Sequence, residues 1–157
     1  MVIDLVVVGK TDVAEVEALV TEYQKRVNRY VKFSIVMVPD VKASKNTPLE
    51  MVKRAEAALI VKQFSPGDHV VLLDEKGGQL RSVEFAAWMQ KKMNGGTRRL
   101  VFIVGGPYGF DREVYARANE VLSLSKMTFS HQIVRAIFTE QLYRAFAILR
   151  GESYHHE

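Results

Sequence analysis

The feature that most limits what this chain can fold into is a set of short, almost uninterrupted apolar runs, each followed by a segment with helical periodicity. Val2 to Val8 (VIDLVVV), Phe33 to Val38, Val70 to Asp74 (VVLLD) and Leu100 to Val104 (LVFIV) are these runs, and all are rich in β-branched residues. A strand with one face in water alternates apolar and polar side chains, whereas a run without alternation suits a strand covered on both faces. Buried strands that alternate with helices long enough to act as crossovers predict an α/β protein, with a mostly parallel central sheet and helices on both faces.

The helices follow from their ends and stripes. Asp12, with Glu15 in the reciprocal capping position, opens the first, and Val13, Val16, Val20, Tyr23, Val27 and Tyr30 form its buried stripe. Lys25, Arg26, Arg29 and Lys32 lie on its solvated sides. After a polar loop, Asp40 to Asn46, Thr47-Pro48-Leu49-Glu50 supplies an N-cap, a proline at the first helical position and a glutamate completing the box. That helix runs to about Gln63 and stops at Ser65-Pro66-Gly67-Asp68. Lys76-Gly77-Gly78 is expected to turn the chain after the third strand. Ser82 then caps a helix that turns Phe85, Trp88, Met89 and Met93 toward the core, and Asn94-Gly95-Gly96 ends it. Asp111 begins a short helix.

Leu122-Ser123-Leu124-Ser125 alternates like a half-buried strand end, and Lys126 to Ser130 breaks the pattern with a polar turn. From Ser130 the residues Val134, Ile137, Phe138, Leu142, Ala145, Phe146 and Leu149 give one continuous buried face over about five turns. Gly151 ends this helix. Glu152 to Glu157 holds too little apolar content to pack as an element, so a mobile tail carrying Tyr154, His155 and His156 is expected.

At 157 residues the chain reads as one domain, residues 1–157, with a core that needs no staples. The absence of cysteine excludes disulfides and thiolate metal sites and fits a reducing cytoplasm. No apolar run approaches the roughly 20 residues of a membrane span. Asp4 interrupts the early apolar run and no small-residue cleavage site follows, so a soluble cytoplasmic protein is expected. The net charge of +4 is a mild bias toward polyanions.

Several motifs can be weighed on spacing alone. Gly9-Lys10-Thr11 imitates the end of a phosphate-binding loop, but the residue where that motif requires its first glycine is Asp4, so nucleotide hydrolysis is rejected. Gly105-Gly106-Pro107-Tyr108-Gly109 follows a strand, yet its spacing is not GxGxxG. It is either a structural turn or a place where backbone approaches a ligand, and ligand contact is preferred. The polar turn after Leu122 exposes amides and hydroxyls where small ligands bind in open α/β sheets, outside the carboxyl ends of strands. His131 is a general base, a phosphate contact or a satisfied structural histidine, and a lone histidine is most often the last of these. His155 and His156 are adjacent and lack a third ligand at suitable spacing, so no metal is expected. No GxSxG occurs, which removes the usual serine-hydrolase signature.

Taken together, VVVGK, GGPYG after LVFIV, LSLSKMTFSHQIVRAIFTEQLYRAF and the closing GESYHHE resemble the RlmH family, ribosomal RNA large subunit methyltransferase H, of the SPOUT superfamily. The resemblance runs from the opening strand to the last residues, and the part from about Leu100 onward is the most specific. It implies an α/β fold with a C-terminal trefoil knot, a rare exception to the rule against threaded chains. It also implies a homodimer with cofactor pockets near the subunit interface. S-adenosylmethionine would be contacted at Leu73, Gly105, Leu124, Ser125, Lys126, Met127, Thr128 and Phe129. The implied reaction is methylation at N3 of a pseudouridine in the helix 69 loop of 23S rRNA, on the assembled 70S ribosome.

That nitrogen carries an imide proton, so attack is helped by a base or by cations that stabilise the anion. His131, Arg144, Tyr154 and His155 are the candidates, with Tyr154 and His155 supplied across the dimer. The chain has His156 where tails of the family often carry lysine or arginine, so a fixed positive charge is missing there. Two competing readings are a non-catalytic ribosome-associated RNA-binding factor and an oxidoreductase using the glycine turn.

Overall fold

The computed structural model describes all 157 residues. In chain order the elements are β1 (Val2–Val8), α1 (Ala14–Val27), β2 (Lys32–Val38), α2 (Leu49–Val61) and β3 (His69–Gln79). They continue as α3 (Ser82–Asn94), β4 (Arg99–Val104), α4 (Arg112–Arg117), β5 (Glu120–Ser123) and α5 (Ile133–Leu149). The five strands form one sheet in the order β2-β1-β4-β3-β5, and every neighbouring pair is parallel. All carboxyl ends therefore open on the same side, where open α/β sheets hold their ligands.

The uninterrupted runs end up covered on both faces. Ile3, Leu5, Val7, Val71, Phe102 and Val104 pack with residues of α1, α3 and α5, including Val27, Phe85, Met89, Phe138 and Leu142. Val6, Val8, Val70, Leu72, Val101 and Ile103 pack on the opposite face with Ala57 and Ile60 of α2 and Val114 of α4. Phe102 and Phe138 meet with ring centroids 4.6 Å apart, joining the central strand to α5. No helix is long and apolar enough to cross a membrane.

The structure corrects the sequence reading at several joints. Lys76-Gly77-Gly78 does not end β3; the strand bulges between Leu73 and Gly78, then pairs Gly78 with Leu122 and Gln79 with Ser123. A Cβ at Gly77 would lie 2.6 Å from the Val121 carbonyl carbon, so glycine serves a close approach of two strands here. β5 begins at Glu120 and stops at Ser123, two residues earlier than the alternation suggests.

The capping residues also differ, because the expected side chains have other partners. Val13 is the N-cap of α1 and is 42% exposed, and the Asp12 amide donates to Oε1 of Gln132 (3.0 Å). Pro48 is the N-cap of α2, while Thr47 Oγ1 accepts from the Ser44 amide (3.0 Å). At α3 the N-cap is Arg81, whose amide donates to Glu84 (2.7 Å), and the Ser82 hydroxyl donates to Gln141 (2.8 Å). α5 starts at Ile133, with Ser130 Oγ accepting its amide (3.2 Å), and Gly151 with φ +67° follows its end.

Candidate functional site

Beyond the carboxyl ends of β3, β4 and β5 lies a cavity of about 460 Å³. Its walls come from the bend of β3 (Leu73 to Lys76), the glycine loop Gly105–Phe110, and the turn after β5, with Lys53, Tyr115, His131 and Val134 completing it. Of the residues implied by resemblance for a cofactor, Leu73, Gly105, Leu124, Ser125, Met127, Thr128 and Phe129 line this cavity. Lys126 does not; it is exposed outside the lining.

The loop and the turn are shaped by main chain. A Cβ at Gly105 would press on the Phe110 ring at 3.1 Å, and one at Gly106 would lie 2.6 Å from Oε2 of Glu56. The Gly106 amide donates to Glu56 Oε1 (3.1 Å). In the turn, Ser123 Oγ donates to the Ser125 carbonyl (2.8 Å) and Ser125 Oγ accepts from the Met127 amide (3.0 Å). Side chain–backbone bonds of this kind hold a polar turn in one shape without regular pairing. Met127 is 77% exposed, so the residues that follow the bonded serine stand out into solvent.

Charged groups set the chemistry of the walls. Asp74 accepts from the Lys76 amide (2.8 Å) and from the Tyr115 hydroxyl. Burial, then the bond to Asp74, pushes the Tyr115 phenol well above its ordinary range. Burial likewise raises the Glu56 carboxyl, opposed by the Gly106 amide and reinforced by Asp40. None of these three residues stands out in the sequence: a carboxylate closing an apolar strand run and a glutamate or tyrosine within a helix are common, and the partners that join them are distant in the chain.

Behind the cavity, Arg135 is only 1% exposed yet has no carboxylate in ion-pair contact. Its guanidinium donates to the carbonyls of Val8 (2.7 Å), Gly9 (2.9 Å) and His131 (2.8 Å) and to Thr11 Oγ1 (3.0 Å). Gln132 Nε2 donates to the Lys10 carbonyl (2.9 Å). The VVVGK end of β1 is thus clamped to the start of α5, which fixes His131 at the cavity wall.

The other candidate residues gather elsewhere. Arg144, Tyr154 and His155 meet around Glu140, away from His131, and none of them lines the cavity of the same chain. Glu140 Oε1 accepts from Arg144 Nε (3.0 Å), Arg144 Nη2 (2.5 Å) and the Tyr154 hydroxyl (2.9 Å). Tyr23 and Tyr154 share a hydroxyl contact of 3.2 Å. Burial, then the bonds to Tyr23 and Glu140, raises the Tyr154 phenol far above its usual range. Arginine has no acceptor, so the 3.2 Å contact of Arg144 Nη1 with His155 makes Nδ1 the acceptor and places the ring proton on Nε2. That Nε2 is buried without a partner.

The tail is accordingly docked, contrary to the expectation of a mobile segment. The Tyr154 ring packs on Tyr143 with centroids 4.6 Å apart, Arg144 stacks over it at 4.7 Å, and Glu157 pairs with Arg81 (2.5 Å). Six residues with little aliphatic content pack through one aromatic ring and their polar groups, using α5 together with partners remote in sequence, Tyr23 of α1, Tyr30 just beyond its end and Arg81 at the head of α3.

A family profile described as "Predicted SPOUT methyltransferase" matches residues 1–155. A protein of Christiangramia forsetii named ribosomal RNA large subunit methyltransferase H is 53% identical over 156 residues, covering 99% of both chains. Proteins of the same name from Parabacteroides distasonis and Flavobacterium johnsoniae are 50% and 48% identical over the full length of both chains. Identity of this order over the whole length means that the chain belongs to the SPOUT methyltransferase family, in its ribosomal RNA large subunit methyltransferase H branch.

Proposed function

We propose that this protein is an S-adenosylmethionine-dependent methyltransferase of large-subunit ribosomal RNA. Its target in this reading is N3 of a pseudouridine in the helix 69 loop of 23S rRNA, on the assembled 70S ribosome. It works as a cytoplasmic homodimer of one-domain chains with a C-terminal trefoil knot, as its family implies. The observation that carries the proposal is the cavity outside the carboxyl ends of β3, β4 and β5, bounded by the glycine loop and the turn after β5.

The residues present fit the cofactor. The cavity, at about 460 Å³, falls within the range of small-molecule pockets. Leu73, Val104, Leu124 and Val134 offer apolar walls to a flat ring, and the absence of side chains at Gly105 and Gly106 lets backbone come close. Asp74 and Glu75 suit hydroxyls and a positive charge. Leu73, Gly105, Leu124, Ser125, Met127, Thr128 and Phe129 would hold it, with Lys126 contributing through its backbone. When bound, the cofactor supplies a methyl group already activated by its sulfonium.

The protein's share is to align the attacking nitrogen, exclude water and manage one proton. His131 lines the cavity and can take that proton. Tyr154, with its raised phenol, keeps its proton and acts as a hydrogen-bond donor. Arg144 supplies a cation for the imide anion, and His155 must exchange its Arg144 contact before its Nδ1 can serve a substrate. The separation of this group from the cavity within one chain supports its delivery from a second copy.

Transfer of labelled methyl from S-adenosylmethionine to purified 70S ribosomes, separated subunits and free 23S rRNA tests the proposal. Label in pseudouridine of 70S particles alone is the expected result. No transfer and no cofactor binding would instead favour a non-catalytic ribosome-associated factor. Full activity in both Tyr154→Phe and His155→Ala would remove the tail from the chemistry. Phosphate contacts from a chain of net charge +4 should make binding strongly salt-dependent.

A further inference from the structure

We propose that Glu56 is the positioning residue of the glycine loop: from α2 it holds the Gly106 amide and thereby sets the face that Gly105 and Gly106 present to the cavity. For its binding consequence this rests on the cofactor reading above.

Glu56 is 7% exposed in the middle of α2, and no lysine or arginine pairs with it. A carboxylate buried without a cation is costly unless hydrogen bonds compensate. Its bond is to the Gly106 amide at 3.1 Å. The only charged group that bears on it is Asp40, which is repulsive. Charge attraction therefore does not explain why this carboxylate is buried there. What it does is local: it captures the amide of the residue just before Pro107, which has none of its own.

The fit is steric as well. A Cβ at Gly106 would lie 2.6 Å from Glu56 Oε2 and 3.2 Å from its carboxyl carbon, so a side chain there would push the carboxylate off its place against the loop. With the Gly106 amide turned back to α2, the Gly105 carbonyl, antiparallel to it across the trans peptide, is left on the side away from Glu56. The carboxylate thus fixes one peptide plane, and that plane is part of the cavity wall.

The test uses the full chain with Glu56→Ala and Glu56→Gln, S-adenosylmethionine as the titrated ligand, and amide hydrogen exchange at Gly106 without ligand. Loss of a hydrogen bond to a charged group should raise the Kd of Glu56→Ala about tenfold, with kcat at saturation unchanged. Exchange at Gly106 should quicken. Glu56→Gln, which keeps an acceptor oxygen, should stay within about threefold of the native Kd and retain protection. Glu56→Leu, which keeps the helix face filled, replaces the alanine variant if that one does not fold. Native Kd and native Gly106 protection in the alanine or leucine variant would overturn the proposal, as would a glutamine variant as impaired as alanine. Failure of the native protein to bind S-adenosylmethionine would sink the functional reading instead, and the exchange comparison would still decide the role of Glu56.

Discussion

The cavity and the tail cluster both draw on the last third of the chain, yet they are made differently. Main chain builds the cavity: strand ends fixed by their ladders, a loop closed on glycines, and a turn held by serine-to-backbone bonds. The tail cluster is built from side chains around one carboxylate, Glu140, which takes donors from Arg144 and Tyr154. A site of the first kind is ready for a ligand before the ligand arrives. A site of the second kind has already spent its donors on itself and must exchange partners before it can act on anything else. On the proposed function, this difference gives the cavity the binding role and the cluster a step that follows contact with a partner.

The strongest blow to the cavity side of this comparison is Arg135→Ala. It strands the carbonyls of Val8, Gly9 and His131 in the interior and empties the space of a large buried side chain. Unfolding in urea should show a loss of about 3 kcal/mol or more, and cofactor binding should fall with it. A variant that loses stability but binds S-adenosylmethionine normally would show that the clamp on β1 does not shape the cavity.

Gly77→Ala comes next. Its Cβ would lie 2.7 Å from the Leu122 nitrogen, pushing β5 off β3 at the bulge. Overpacking of this kind costs about 2 kcal/mol, and because the turn after β5 hangs from that pairing, ligand affinity should drop. Nuclear magnetic resonance signals of Tyr154 and His155 should keep their native shifts. If they move as far as those of Leu124 and Ser125, the two regions are coupled and the contrast fails.

What the sequence disclosed follows the same division. The buried strands were readable because an apolar run without alternation has few other uses, and the apolar stripe of α5 because it recurs over many turns. The place of the cavity was readable too, since glycines and a polar turn following strands mark where backbone is left open. The bulge in β3 was hidden because Lys76-Gly77-Gly78 has the composition of a turn, and only the nearness of Val121 and Leu122 explains Gly77. Arg135, Glu56 and Tyr115 were hidden for a related reason. Each sits at an ordinary polar helix position, and the partner that gives it meaning lies 41 or more residues away in Glu56, Tyr115 and the β1 contacts of Arg135. Docking of the tail is hidden because aliphatic content does not measure it: Tyr154 packs by ring stacking on Tyr143 and by bonds to α1 and α5.

On the tail side the effects are smaller. Tyr154→Phe loses its bonds to Tyr23 and Glu140 but keeps the ring against Tyr143, so global stability should fall by about 1 kcal/mol or less. Ligand affinity should stay native. A cofactor Kd that rises as much as in Gly77→Ala would place the tail in the binding step.

The smallest effect is one of pH. Tyr30 donates to Glu152 (2.6 Å), and burial together with this bond pushes its phenol up from 10.0 to about 12. The folded chain therefore holds a proton that the unfolded chain has released. The stabilisation is complete below pH 10, and it is lost as pH rises from there through about 12. Tyr30→Phe should remove that part of the alkaline slope, read by urea unfolding at stepped pH, together with the phenolate absorbance of one tyrosine titrating near 12. An unchanged slope would mean that Tyr30 does not tether the tail. Because Tyr154 is raised in the same direction, both anchors weaken as phenols ionise, whereas the backbone bonds of the glycine loop and the serine turn have no proton to lose in that range. Tyr115, on Asp74, is a raised phenol that carries such a dependence into the cavity, so cofactor binding measured across the same pH steps in a Tyr115→Phe variant separates the two regions.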